Sequence, residues 1–164
     1  GCLLAATVAG DADMTCNLVF WQPVPQGKLH LQQFLRLKTA NQMIEGGAKG
    51  ALEALRQDLA AGNTVCVAGY RLRPELAHGL EQAQLMPPAR VGSLVWLEVA
   101  VGADAKLLPA SVSAIDKWQA AGWQTHCAIV NGPAFWRTTE IEDAPALIDA
   151  TTAAMAAVAA ADGP

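Results

Sequence analysis

The run Ser93-Leu94-Val95-Trp96-Leu97-Glu98-Val99-Ala100-Val101 constrains the fold more than any other part of the chain. It is too short and too rich in branched and aromatic residues for a buried helix, so it reads as a strand. It is also apolar at both odd and even positions. A strand with one wet face alternates, whereas a nearly continuous apolar strand needs cover on both faces, as in a parallel sheet clothed by helices. Two weaker segments repeat the theme. Residues 15–21, Thr-Cys-Asn-Leu-Val-Phe-Trp, end at Gln22-Pro23, where Pro23 has no N–H for a ladder, and residues 124–130, Gln-Thr-His-Cys-Ala-Ile-Val, form the third.

Helical patterns separate these strands. Residues 111–121 carry Val112, Ile115 and Trp118 at three-residue steps and stop at Gly122. Residues 144–160 predict a last helix opening near Asp143, with Pro145 in its first turn. Strands alternating with helices imply a parallel sheet joined by right-handed crossovers, hence a doubly wound, mainly parallel α/β domain. Residues 27–88 break the rhythm. Leu31, Phe34, Leu35, Met43 and Ile44 predict a helix ending at Gly46-Gly47, and a second helix covers 51–61. A short strand follows at 64–72, and a helix opened by Pro74 runs towards Leu85. This stretch is expected to be a lid-like insertion.

Composition narrows the function classes. With 164 residues, 52% apolar and 16% charged, the chain has enough material for a real core. Its net charge of -4 argues against a general nucleic-acid binder, which needs a basic face for phosphates. The longest purely apolar run, 153–161, is far too short to span a bilayer. Cys2, Cys16, Cys66 and Cys127 show no C-x-x-C pairing or zinc-ligand spacing, so they are expected to be small buried hydrophobes of a reducing compartment. No glycine-rich phosphate loop follows any strand, which ranks a nucleotide-binding half-domain last. Neither a metal nor a cofactor is expected.

The chain begins Gly1-Cys2-Leu3-Leu4-Ala5-Ala6-Thr7-Val8-Ala9-Gly10, a helical apolar segment without a capping side chain. A glycine opening such a helix is how the nucleophile elbow G-x-S-x-G ends. The expectation follows that the natural chain continues upstream, with a nucleophile two residues before Gly1. The sheet edge left without its neighbouring strands would then favour self-association.

Three local motifs, in order, carry a family resemblance. They are Leu18-Val19-Phe20-Trp21-Gln22-Pro23-Val24 with Gln33-Phe34-Leu35-Arg36; Ala68-Gly69-Tyr70 followed by Pro74-Glu75-Leu76-Ala77; and Gly132-Pro133-Ala134-Phe135-Trp136 with Glu140-Ile141-Glu142 and Ala144-Pro145-Ala146-Leu147-Ile148. Together they resemble the hydrolase 2 family associated with the exosortase A system, within the α/β-hydrolase superfamily, over its C-terminal portion. The resemblance implies a cytoplasmic hydrolase of an exopolysaccharide system, acting on an ester or thioester of a small-molecule, acyl or glycan substrate.

In that fold the triad acid follows the next-to-last strand, which is where Asp104 lies, although an aspartate in a Gly-x-Asp loop is also a common solvated turn residue. The histidine should follow the last strand, but the chain there reads Asn131-Gly132-Pro133-Ala134-Phe135-Trp136. His126 falls inside the strand, and His30 and His78 fall in the insertion. The competing expectation is therefore a non-catalytic acyl- or glycan-binding protein that kept the fold and lost the triad. Trp21, Gln22, Phe135 and Trp136 sit at predicted strand ends, where ligands of open α/β sheets bind, with Gln22 as a polar handle. The aromatics serve equally well to pack the insertion onto the sheet. Arg36, with Lys38, Arg71 and Arg73, offers positive charge for an anionic sugar-lipid or nucleotide-sugar group, or else a solvated helix face. Glu140 and Glu142 precede the last helix, where carboxylates suit the positive end of its dipole.

Overall fold

A computed structural model describes residues 1–43, 50–102, 104–137 and 142–161. The chain forms α1 (Cys2–Asp11), β1 (Leu18–Trp21), α2 (Gly27–Met43), α3 (Ala51–Ala60), β2 (Val65–Val67) and β3 (Tyr70–Leu72). It continues through α4 (Pro74–Gln82), β4 (Ser93–Ala100), α5 (Pro109–Ala120), β5 (Gln124–Asn131), a 3-10 turn (Phe135–Arg137) and α6 (Pro145–Ala161). The expected helix end at Ile44, Gly46 and Gly47 lies outside the described residues, as do Ala103, Glu140 and Ile141. The chain divides into two units, Gly1–Pro25 with Leu85–Pro164, and Gln26–Gln84.

The first unit is a three-stranded parallel sheet in the order β1-β4-β5. The apolar run that dominates the sequence is the central strand, buried from Ser93 to Glu98. Its two sides feed two cores. Leu94 and Trp96 join Phe20 of β1 and pack with Ala6 of α1 and Ala114, Ile115 and Trp118 of α5. Val95 and Leu97 point the other way, to Val130 of β5 and to Leu147 and Val158 of α6. Helices thus cover both faces of the sheet, which is the reason β4 has no polar alternation.

Local signals set the helix bounds. Pro109 occupies the first turn of α5, where its missing N–H costs nothing, and Gly122 follows its end at φ 91°. The buried stripe of α5 is Ser111, Ala114, Ile115 and Trp118, while Val112 is exposed. A 3.6-residue turn rotates a strict three-residue step off the core, so the apolar Val112 leaves it. Trp118 is fully enclosed, edge-on to Phe20 at 5.9 Å and to Trp123 at 4.7 Å, and its Nε1 donates to the Leu85 carbonyl. At the other end of the unit, α1 has Gly1 as its cap without a side-chain hydrogen bond, and it buries only Ala6 and Ala9.

The second unit packs α2, α3 and α4 with a β2–β3 hairpin. Its core is Leu31, Leu35, Leu55, Leu59, Val65, Val67, Leu72 and Ala77. The single strand expected at 64–72 is instead this antiparallel hairpin, with Val67 paired to Tyr70 across Ala68-Gly69. Both turn residues have positive φ, 48° and 83°, as a two-residue turn matching strand twist requires. Alanine rarely adopts that conformation, so the turn carried only half of its usual signature in the sequence. The ends of the unit meet: Gly27 N–H donates to the Ala83 carbonyl at 2.9 Å, and a Cβ at Gly27 would run into the Leu80 carbonyl. Only glycine permits that approach.

No described helix is long and apolar enough to cross a membrane.

Candidate functional site

Parallel pairing aligns the C-terminal ends of β1, β4 and β5, so the segments after Trp21, Ala100 and Asn131 emerge on one side of the sheet. Open α/β sheets place ligands there. Three of the expected site residues come together at this end. Trp21 meets Phe135 edge-to-face at 6.2 Å, and Phe135 meets Trp136 in the same way at 5.1 Å. Phe135 packs on the core under α6, while Trp21 and Trp136 remain 45% and 43% exposed. The Trp21 indole is fixed: its Nε1 donates to Thr151 Oγ1 at 2.8 Å, and that hydroxyl donates to the Leu147 carbonyl at 2.7 Å. A rigid aromatic run with open ring surface is the result. Thr151 had no signal in the sequence beyond being a polar interruption in an alanine-rich helix.

Gln22 serves the frame. Its N–H donates to the Leu97 carbonyl at 2.8 Å and its side-chain Oε1 accepts from Val99 N–H at 2.9 Å. Both bonds pin the end of β1 to β4, and they hold Gln22 at φ 44°, a region that an L-residue enters at a cost. At the end of β4, Gly102 N–H reaches Asn131 Oδ1 at 3.5 Å and Gly132 N–H reaches the Ala100 carbonyl at 3.3 Å, tying β4 to β5. Asp104 follows in an exposed turn. His126 pairs with Val95 in mid-strand, short of the strand end at Asn131. His30, Arg36 and His78 belong to the second unit, as do Lys38, Arg71 and Arg73; Arg36 is exposed on α2. Glu142 is exposed ahead of α6.

The chain also holds a buried acid, Glu98, in the middle sheet strand β4. Glu98 is 5% exposed and accepts from Trp96 Nε1 at 2.9 Å. A lone acid in an otherwise apolar strand was the available signal. By register it shares the α5 face of the sheet with Cys127 and Thr125. Cys127 is exposed as a residue, but the partial desolvation of its thiol pushes that thiol up, the hydrogen bond with Thr125 opposes this, and the nearby Glu98 charge adds to the rise. A thiol held protonated is a poor nucleophile. The cysteines are less buried than expected: Cys66 and Cys127 are exposed, and Cys2 and Cys16 are intermediate.

A cavity of about 490 Å³ lies beside β1, lined by Gly1, Cys2, Ala5, Val19, Phe20, Trp21 and Thr151, with no histidine among its residues. Cys2 Sγ accepts from Val24 N–H at 3.3 Å, so this thiol is engaged with the backbone. In the second unit a cavity of about 440 Å³ has Leu31, Leu35 and Leu59 in its lining, together with Arg56, Glu75, His78 and Glu81. Among the described residues no group of three or more His, Cys, Asp or Glu side chains is arranged to hold a metal ion. Compared with family models, curated proteins and solved structures, the chain matches none.

Proposed function

We propose that the first unit binds an acyl or glycan ligand through Trp21, Phe135 and Trp136 at the C-terminal end of its parallel sheet. The observation that carries this reading is the edge-to-face run of the three rings, anchored at Thr151 yet open at both tryptophans. Such a wall offers a large apolar area at little cost in side-chain entropy, because its rings are already held. It takes either a hydrocarbon chain or the apolar face of a sugar ring. Tryptophan fluorescence titrated with a medium-chain fatty acid and, separately, with an oligosaccharide tests it. Saturable quenching by one of them, weakened about tenfold or more by Trp136→Ala, equivalent to about 1.4 kcal/mol, is the expected outcome. Absence of saturation with both ligand classes would remove the reading.

A second reading is favoured by Asp104, in the turn that follows the next-to-last strand. Under it the first unit is the C-terminal portion of an α/β-hydrolase fold and residues 27–88 are an insertion. The activity is then ester or thioester hydrolysis in a cytoplasmic protein of the exosortase A and exopolysaccharide system, and Asp104 orients the base. Turnover of an activated acyl ester by the complete natural protein, reduced by orders of magnitude in Asp104→Asn with folding intact, is the outcome this reading requires. Ligand binding without burst or turnover supports the binding protein instead.

A further inference from the structure

We propose that the second unit holds a binding site for a free α-amino acid with a large apolar side chain, in the cavity between α2, α3 and α4. This cavity, about 440 Å³, falls in the size range of small-molecule sites, and every residue of its lining belongs to Gln26–Gln84. It exists because the three helices differ in bulk where they meet. Leu31 and Leu35 stand one turn apart on α2, and Leu59 comes from α3. Against these α4 sets Pro74 and Ala77, which are small. The mismatch leaves a gap with an apolar floor, which is the part of the site that an alkyl or aromatic group fills.

The same cavity carries charges of both signs that do not meet each other. Arg56 is half-buried and lines it from α3, one turn before Leu59. Glu75 and Glu81 line it from α4 with His78 between them, at the three-residue steps that keep side chains on one helix face. Among the described residues, the side chains of Arg56, Glu75 and Glu81 have neither an ion pair nor a hydrogen bond. A guanidinium and two carboxylates around one opening, none with a protein partner, leave space for a group that carries both charges. An α-amino acid is such a group. Its carboxylate takes the planar N–H fork of Arg56, its ammonium takes Glu75 or Glu81, and its side chain lies on the leucines. A simple amine would leave Arg56 unanswered. A fatty acid would bring its carboxylate beside two glutamates with no ammonium to offset them. The site shares no residue with the aromatic wall of the first unit and stands apart from that reading.

Calorimetric titration of the full chain with L-phenylalanine, phenethylamine and N-acetyl-L-phenylalanine tests it. Phenethylamine lacks the carboxylate, and the acetylated form lacks the ammonium. The expected result is one saturable site for L-phenylalanine, with each analogue about tenfold weaker. Arg56→Met keeps the stem and removes the guanidinium, so it should lower L-phenylalanine to the affinity of phenethylamine. Glu75→Gln combined with Glu81→Gln should lower it to that of the acetylated form. All five tryptophans belong to the first unit, so their fluorescence should stay unchanged through the titration. Absence of saturable binding by L-phenylalanine overturns the proposal. So does binding that survives either set of substitutions, binding that quenches the tryptophans, or an analogue that binds as tightly as the amino acid. If a variant fails to fold, the three ligands on the wild-type chain decide alone.

Discussion

Glu98 and Cys127 lie diagonally on one face of adjacent strands, and their coupling is a measurable property of single residues. Because partial desolvation and the Glu98 charge both disfavour a thiolate, alkylation of Cys127 should show a pH midpoint above that of free cysteine. Glu98→Gln removes the charge and keeps the acceptor for Trp96 Nε1, so the midpoint should fall. It should not return to the ordinary value, since burial is the larger cause. The sign for stability follows from the raised value. The contribution of the neutral thiol is present below the thiol pKa of the unfolded chain and is lost as pH rises through the folded value. Cys127→Ser should therefore flatten the alkaline limb of a stability-against-pH curve. Gln22 makes a second residue-scale case. Gln22→Ala deletes the acceptor for Val99 N–H while keeping the unfavourable φ of 44°, and about 1–2 kcal/mol of stability should go with it in denaturant titration.

At the scale of elements, the strands of the parallel sheet were legible because their burial is two-sided. Residues 93–101 were read as a strand and Ser93–Ala100 form one; residues 124–130 were read and Gln124–Asn131 form one. The pattern places the start of β1 three residues early, at Thr15: the ladder with β4 begins at Leu18, and Asn17 meets β4 through its side chain instead, its Oδ1 accepting from Ser93 N–H at 2.9 Å. The hairpin was illegible for a different reason. Val65, Val67, Tyr70 and Leu72 keep an apolar rhythm through the turn, and Ala68 supplies no turn chemistry. Ala68→Asn gives the pair its preferred Asn-Gly form and should raise stability by about 0.5–1 kcal/mol, read as a higher melting temperature. Unchanged or lower stability would mean that the hairpin register is held by Val65, Val67 and Leu72 alone. The aromatic cluster was partly legible: strand ends can be counted, which puts Trp21, Phe135 and Trp136 at one end of the sheet, and their rings meet there. The Thr151 anchor comes from α6, and the structural use of Gln22 comes from a bond to β4, neither of which any local pattern encodes.

For the whole molecule, the division into units has a consequence for folding. Each unit has its own buried cluster, Leu94, Trp96, Trp118 and their neighbours in the first and Leu35, Val67 and their neighbours in the second. The junction is closed within each unit: Leu85 N–H donates to the Pro25 carbonyl at 2.9 Å on one side, and Gln26 bridges Gln84 on the other. A loop whose ends are already hydrogen-bonded neighbours can be replaced by a short one, and shortening it lowers the closure entropy. Replacing Gln26–Gln84 by a brief Gly-rich linker should therefore leave the first unit folded. The readouts are cooperative unfolding and a retained near-ultraviolet signal from Trp96, Trp118 and Trp123, which report the enclosed α5 face. Far-ultraviolet helicity without that signal would signify a molten state, and the sheet would then depend on the second unit for its packing. The reciprocal piece, residues 26–84 alone, has a smaller core and a length at which single domains are marginal, so it should unfold at lower denaturant than the first unit. If both pieces melt at the midpoint of the intact chain, the division is one of contacts and also of stability, and the two cores fold independently of each other.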